Sequence, residues 1–175
     1  MNTLLETQLK CAKESARLLK NMPTCTKNQA LDKIADALIV HSEEILEANK
    51  KDMAHAKEVN MTKAMQDRLL FTHERIVGVS DGVKKVATLP DPIGEVMESW
   101  TRPNGLEISK VRVPIGVFGI IYEARPNVTV DIASLCLKSG NACVLRGGKE
   151  AIYTNKKLVE IMKAATKDIL PEGAI

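Results

Sequence analysis

Apolar residues recur at steps of three and four through the first ninety residues of the chain. The spacing places residues 5–19 on one helical face, and it returns over residues 31–38 and 76–86. Pro23 separates the first two helices, because proline lacks the amide that a helix interior uses. Three hydroxyl residues lie where N-caps are expected, each able to accept a hydrogen bond from a first-turn amide: Ser42, Thr62 and Thr72. We therefore predict an all-helical amino-terminal part.

The helical pattern stops at residues 90–92, where two prolines flank Asp91. Alternating apolar positions follow over residues 96–100 and again over residues 108–113. Between them lie the turn-forming residues 103–105, with the sequence Pro-Asn-Gly. This pattern predicts a β-hairpin. Because an isolated hairpin is barely stable in water, we expect it to pack on something else, a partner subunit being one candidate.

A different pattern begins near Ile115, with a continuous apolar run over residues 117–121 that is typical of a strand buried on both faces. A helical pattern over residues 128–138, an apolar strand at 142–146 and a second helix over 151–169 follow. This order predicts the start of a doubly wound parallel sheet. A sheet of two parallel strands leaves an open edge, so we expect the sheet to continue beyond residue 175.

The sequence thus predicts an α/β protein in three parts: helices at residues 1–93, a hairpin at 94–113 and an incomplete parallel sheet at 114–175. With 45% hydrophobic and 27% charged residues and no apolar run of membrane-spanning length, we expect a water-soluble, cytoplasmic protein. The net charge of +3 is dispersed along the chain and aromatic residues are few, which argues against nucleic acid as a partner. Four cysteines without metal-ligand spacing indicate reduced thiols, and Cys136 and Cys143 are predicted to be buried.

Two polar segments follow the predicted parallel strands, at the sheet edge where open α/β folds bind ligands. In the first loop, residues 122–127, Arg125 could hold a carboxylate or phosphate. Asn127 could donate to a developing oxyanion, or it could cap the helix predicted to begin at Val128, and both roles could coexist. Asp131 is interpreted as complementing the dipole of that helix rather than acting as a base.

The second loop, residues 146–150, combines two glycines with two cations. Gly147 and Gly148 permit close backbone approach, while Arg146 and Lys149 would suit an anionic group such as a phosphate. The pattern matches neither GxGxxG nor a Walker loop, so a glycine turn with solvated charges is the alternative interpretation.

Three longer motifs carry a resemblance. They are VRVPIGVFGIIYEARPNVT at residues 111–129, LKSGNACVLRGGKEA at 137–151 and LPDPIG at 89–94. With them the chain resembles the amino-terminal part of the gamma-glutamyl phosphate reductase family, in the aldehyde dehydrogenase superfamily. The resemblance implies an aldehyde-dehydrogenase-like fold in which the hairpin is an oligomerisation element. It also implies NADPH-dependent reduction of L-glutamate 5-phosphate to L-glutamate 5-semialdehyde, with phosphate release, in proline biosynthesis.

For the site, the resemblance implies that Arg146 meets the 2′-phosphate of NADPH, that Arg125 binds substrate, and that Asn127 is an oxyanion donor. The full set of candidate cofactor-binding residues is Tyr122, Glu123, Arg146, Gly147, Gly148 and Lys149. The family's nucleophilic cysteine is expected beyond residue 175, so this chain alone is expected to be inactive. A homo-oligomer formed through the hairpin and channelling with glutamate 5-kinase are the implied partnerships. Two alternatives stay open: another acylating aldehyde dehydrogenase, and a short non-catalytic protein that pairs with full-length subunits.

Overall fold

The computed structural model describes residues 3–175. Over this range the chain forms five helices, then a hairpin, then strand, helix, strand and helix, which is the predicted order. The elements are α1 (Thr3–Leu19), α2 (Thr24–Val40), α3 (Ser42–Glu58), α4 (Lys63–Leu69), α5 (His73–Thr88), β1 (Val96–Thr101), β2 (Glu107–Val111), β3 (Val117–Ile121), α6 (Pro126–Lys138), β4 (Ala142–Arg146) and α7 (Ile152–Thr166). A short 3₁₀ turn, Lys149–Ala151, precedes α7.

One hydrophobic core joins the helical part to the parallel strands. Helix α2 lies near its centre, packed against α5, α6 and α7. Its inward face is fully buried and consists of Ala30, Leu31, Ile34, Ala35 and Leu38. Helix α1 is covered only over its second half, because Leu5 and Leu9 are 45% and 44% exposed whereas Leu19 is fully buried. The predicted boundaries between the three parts of the chain, at residues 93 and 113, stay a prediction.

Two of the three predicted N-caps are confirmed. The Thr62 hydroxyl accepts from the Met65 amide at 3.4 Å, and the Thr72 hydroxyl accepts from the Arg75 amide at 3.2 Å. The prediction for Ser42 is wrong, because this residue is buried as the first residue of α3 and makes no capping bond. His41 occupies the cap position instead, since a single residue separates α2 from α3.

Helix α7 is capped from a distant part of the chain. It begins without a side-chain cap of its own, and the buried Asp52 carboxylate of α3 lies at its amino terminus. Asp52 accepts from the Tyr153 amide at 3.1 Å, the Thr154 amide at 2.8 Å and the Thr154 hydroxyl at 2.6 Å. One turn earlier, Asn49 donates to the Thr154 hydroxyl at 3.1 Å. Helix α3 therefore fixes the position at which α7 starts.

Asp91, in the proline segment, anchors the junction between the helices and the hairpin. Its carboxylate pairs with the ammonium of Lys27, which is 1% exposed. It also accepts from the Thr24 hydroxyl at 2.7 Å and the Ile93 amide at 3.0 Å. A second buried cation, Lys138, lies close enough to interact electrostatically with Asp91. The segment that breaks the helical pattern is thus held by a buried ion pair.

The predicted hairpin is confirmed. Strands β1 and β2 pair antiparallel from Val96 opposite Val111 to Thr101 opposite Glu107, with a bulge between Val96 and Glu98. At the turn, Gly105 has φ +85°, a conformation that favours glycine, and its amide donates to the Arg102 carbonyl at 2.9 Å. Neither strand contributes to the hydrophobic core. The ribbon therefore stands apart from the part of the chain that holds the site.

The predicted parallel pair is also confirmed, in a register that runs from Val117 opposite Ala142 to Ile121 opposite Arg146. Strand β3 is half-buried rather than buried on both faces: within residues 3–175 it pairs only with β4, and Ile121 is 81% exposed. On the opposite side of β4, the Cys143 amide donates to the Ala174 carbonyl at 3.0 Å. The loops that follow β3 and β4 therefore leave the sheet side by side.

Among residues 3–175, no helix has both the length and the apolar content required to cross a bilayer. No group of three or more His, Cys, Asp or Glu side chains in the same range is arranged to hold a metal ion.

Candidate functional site

The two predicted loops meet at the carboxyl ends of the parallel strands. Ile121 and Arg146 are register partners, and the Tyr122 amide donates to the Arg146 carbonyl at 3.1 Å. This bond extends the β ladder by one step, so the first residues of both loops have a fixed separation. The two loops that the sequence predicted as ligand sites at this edge of the sheet are therefore adjacent in space.

Gly147 allows the second loop to pack against the interior. A Cβ added at Gly147 would lie 2.2 Å from Nδ2 of Asn155 and 3.1 Å from the ring of Tyr122. At Gly148 an added Cβ would lie 2.3 Å from a carboxylate oxygen of Glu150. The contact at Gly147 supplies a reason for glycine that is independent of any ligand.

Hydrogen bonds connect the first loop to α6 and α7. The Thr129 hydroxyl donates to Oδ1 of Asn155 at 2.9 Å, so its remaining bond, to the Tyr122 hydroxyl at 2.6 Å, must use the Tyr122 proton. Burial raises the pKa of Tyr122 more than the bond with Thr129 lowers it, which keeps the phenol protonated as a donor. Nδ2 of Asn155 is buried and has no hydrogen-bond partner among the described residues. The network fixes the ring of Tyr122 against Gly147.

We expect Gly147→Ala to lower the free energy of unfolding by about 1–3 kcal/mol, because the added methyl group would overlap the Asn155 amide. Urea unfolding followed by circular dichroism measures this change. Gly119→Ala is the matched control, since an added Cβ there meets nothing within 4 Å. Adding Asn155→Ala to Gly147→Ala should recover part of the loss, and equal effects at positions 119 and 147 would contradict the overlap.

The outer side of the second loop is cationic. Arg146 and Lys149 are both exposed, and within residues 3–175 neither side chain has a carboxylate partner. Because Arg146 ends β4 and only Gly147 and Gly148 separate it from Lys149, the arrangement suits an anionic group. The first loop adds Glu123, which is exposed beside Gly148. The structure therefore brings together all six predicted cofactor-binding residues.

Arg125 and Asn127 lie on a different surface. They line a cleft of about 550 Å³ between α4, α5 and the start of α6, called the α6 cleft below. Its wall also contains Arg68, Phe71, Arg75 and Asp131, and it contains no residue of the second loop. The first loop is therefore divided, with Tyr122 and Glu123 toward the second loop and Arg125 and Asn127 toward the α6 cleft.

The structure corrects the predictions made for the start of α6. Asn127 is not the N-cap, because Pro126 begins the helix and Arg125 takes the cap position. Asn127 instead donates through Nδ2 to the Asp131 carboxylate, one turn later, at 3.0 Å. Asp131 lies beyond the first turn, so it does not complement the helix dipole as predicted. The i, i+4 spacing of Asn127 and Asp131 was the sequence signal for this pair.

The four cysteines lie outside both loops. Cys136 and Cys143 are buried as predicted, at 6% and 1% exposure. The contact with Cys136, together with burial, raises the pKa of the Cys143 thiol. Cys25 is exposed on α2, and Cys11 is half-buried on α1.

Comparisons with known proteins agree on one family. The family model described as "Aldehyde dehydrogenase family" matches residues 3–175. A protein of Moorella thermoacetica called gamma-glutamyl phosphate reductase is 54% identical over 178 aligned residues, which cover 100% of this chain and 43% of that protein.

Two solved structures of proteins with the same name superimpose closely. The Thermotoga maritima protein has a TM-score of 0.95 and 44% identity, covering 97% of this chain and 41% of that one. The Saccharomyces cerevisiae protein has a TM-score of 0.91 and 34% identity, covering 96% of this chain and 44% of that one. The predicted α/β fold is confirmed, and the chain spans less than half the length of these relatives.

Proposed function

The chain belongs to the aldehyde dehydrogenase family, and from that premise we propose that it forms the amino-terminal part of an NADPH-dependent reductase of L-glutamate 5-phosphate. In the proposed reaction, the bond between the acyl carbon and the phosphate oxygen breaks, and a hydride adds to that carbon. The products are L-glutamate 5-semialdehyde and phosphate, which would place the enzyme in proline biosynthesis. Identity of 54% along the whole chain to a protein named for this activity carries the proposal.

The second loop fits a phosphorylated nicotinamide cofactor, which would supply the hydride. Exposed cations at Arg146 and Lys149 offer a planar fork and a point charge for the 2′-phosphate. Nδ2 of the buried Asn155 has no hydrogen-bond partner among residues 3–175 and lies against Gly147, where the absence of a Cβ lets this loop pack close to Tyr122 of the first one. Tyr122 and Glu123 border the same surface. These residues would hold the cofactor.

The α6 cleft fits the acyl phosphate. The Arg125 guanidinium is exposed and has no carboxylate partner among the described residues, so it can bind the phosphate group. As the acyl carbon becomes tetrahedral, its oxygen gains negative charge. Asn127 donates one hydrogen of its side-chain amide to Asp131, and the second hydrogen remains available to that oxygen. The bond to Asp131 holds the amide in a fixed orientation.

We propose that none of the four cysteines is the reaction's nucleophile. Nucleophilic cysteines react as accessible thiolates, whereas Cys136 and Cys143 are both buried, and the raised pKa of the Cys143 thiol keeps it protonated near neutral pH. Cys11 and Cys25 are on α1 and α2, not in the loops or the α6 cleft. A cysteine outside this chain would then supply the thiolate.

The hairpin is proposed to join subunits of a homo-oligomer. Both strands expose apolar side chains, including Val96, Trp100 and Val111, and neither joins the core. A short non-catalytic protein that pairs with full-length subunits through this ribbon is the alternative function. The reading frame distinguishes them, because a frame that continues through a downstream cysteine supports the reductase.

The deciding experiment is phosphate-dependent reduction of NADP⁺ with L-glutamate 5-semialdehyde. It compares this chain with a version extended along its reading frame, called the complete enzyme below. Turnover only by the complete enzyme is expected. Turnover by residues 1–175 alone would contradict the proposal for the cysteines, and no turnover by either protein would contradict the proposed reaction.

Arg146→Ala in the complete enzyme should raise the Kd of NADPH by roughly 10- to 100-fold, the range of one charge-assisted hydrogen-bonding site. The Kd of NADH should change much less, because NADH has no 2′-phosphate. Titration of nicotinamide fluorescence measures both constants. Arg17→Ala, an exposed position on α1, is the control, and equal weakening of both cofactors would rule out the assignment to the 2′-phosphate.

A further inference from the structure

The charges of the α6 cleft are only partly paired. Arg75 donates to the Asp67 carboxylate at 2.9 Å and to the Leu70 carbonyl at 2.7 Å, so this arginine and this aspartate satisfy each other. Among residues 3–175, no other ion pair forms on the cleft wall. Two cations, Arg68 and Arg125, and one anion, Asp131, are left to meet a ligand.

Asp131 is the least solvated of these three groups. Its side chain is half-buried, and among residues 3–175 its one hydrogen bond is the one that it accepts from Asn127. Burial raises the pKa of this carboxyl, and the Asn127 bond offsets only part of the effect. A carboxylate in this position is stabilised by a cation, and nothing in the described part of the chain provides one.

The polar groups of Asn127 and Asp131 are close enough for one glutamyl group to reach both. The two residues share one face of α6, and Nδ2 of Asn127 lies 3.0 Å from the Asp131 carboxylate oxygen that accepts its hydrogen bond. In a glutamyl chain, four bonds separate the reacting carbonyl carbon from the α-nitrogen, which is roughly 5 Å when extended. A glutamyl group whose carbonyl oxygen is at Asn127 can therefore bring its amino group to Asp131.

We propose that Asp131 binds the α-ammonium group of the substrate, so that the α6 cleft recognises a zwitterionic amino acid with an activated side-chain carboxyl. Arg68, on α4, then faces the α-carboxylate, and Phe71 borders the methylene groups. Arg125 stays available for the phosphate. The inference rests on the proposed reaction and adds the residue that selects the amino acid.

The test uses two aldehydes with the complete enzyme: L-glutamate 5-semialdehyde and 5-oxopentanoate, which lacks the amino group. Asp131→Asn removes the charge but keeps an oxygen that accepts from Asn127. We expect kcat/KM for the amino aldehyde to fall roughly 10- to 100-fold, mainly through KM. The value for 5-oxopentanoate should fall much less, so the ratio of the two kcat/KM values isolates the contact with the amino group, and the remaining oxidation of 5-oxopentanoate shows that the variant folds.

Two further variants separate binding from positioning. Asp131→Ala also removes the acceptor for Asn127, so it should lower kcat with both aldehydes. Asp81→Asn, at an exposed position on α5, is the control and should leave kcat unchanged for both aldehydes. If Asp131→Asn lowers turnover of both aldehydes equally, Asp131 acts only by positioning Asn127, and the inference fails while the reaction stands.

The unmodified enzyme provides a measurement that does not depend on any variant. It should prefer the amino aldehyde at least about 10-fold in kcat/KM, the smallest effect expected for one charged hydrogen bond. Equal values for the two aldehydes would overturn the role of Asp131 but not the reaction. Failure to oxidise either aldehyde with NADP⁺ and phosphate would overturn the reaction, and this inference with it.

Discussion

Asp91→Ala is expected to lower the free energy of unfolding by about 3–5 kcal/mol, because it leaves the buried Lys27 ammonium without its counterion. The alanine also removes the acceptor for the Thr24 hydroxyl and the Ile93 amide. Urea unfolding of this chain followed by circular dichroism measures the loss. Asp36→Ala provides the comparison, since Asp36 pairs with Lys84 on the exposed surface and should contribute little.

The pH dependence of stability isolates the charge of Asp91. Burial raises its pKa, but bonds from Lys27, Ile93 and Thr24 outweigh burial, so the folded pKa is below the ordinary value of 3.8. The unfolded chain therefore binds this proton first as the pH falls. The contribution of Asp91 is fully present above about pH 4 and is lost as the pH drops through the folded pKa. The free energy of unfolding of Asp91→Asn should be lower than that of the unmodified chain near neutral pH, and the two values should converge in acid. A difference that stays constant with pH would contradict this assignment.

Asp52→Ala is expected to lower the free energy of unfolding by about 3 kcal/mol. The substitution removes the acceptor of the Tyr153 and Thr154 amides and of the Thr154 hydroxyl, and both Thr154 donors are buried. It also removes a negative charge from the positive end of α7. Hydrogen exchange of the first-turn amides of α7 should accelerate, which identifies the helix that loosens.

A control on the same helix tests whether the loss comes from the cap. Glu47 of α3 is exposed and pairs with Lys50 on the surface, so Glu47→Ala should change stability little. The free energy of unfolding of Asp52→Asn should lie between the values for the unmodified chain and for Asp52→Ala, because the asparagine oxygen can still accept hydrogen bonds. If Asp52→Ala leaves exchange of the α7 amides unchanged, the cap has no energetic role.

Periodicity predicted the elements of this fold because each depends on residues close in the chain. The three- and four-residue spacing, the Pro-Asn-Gly turn and the apolar runs all correspond to observed helices and strands. The partners of Asp52 and Asp91 were not predictable in this way. Asp52 caps a residue 102 positions later, and Asp91 accepts from a hydroxyl 67 positions earlier. Only the packing of α3 and α2 against the rest of the chain creates these contacts.

The candidate site was predictable in part for the same reason. The strand ends located both loops, since parallel strands fix which residues share an edge. The division of the first loop depends on α4 and α5, which lie about fifty residues earlier and carry no motif that points to the α6 cleft. At Asn127, the local signal of Pro126 at the first helical position was available and outweighs the preference of asparagine for caps.

The hairpin holds the only tryptophan of the sequence, Trp100, at 42% exposure and outside the core. Indole emission therefore reports the ribbon, whereas far-ultraviolet circular dichroism reports the helices. The two signals therefore distinguish the hairpin from the helical part without any label. Docking of a second subunit on β1 would shift the emission to shorter wavelength while leaving the helical signal unchanged, so assembly and folding can be followed independently in one sample.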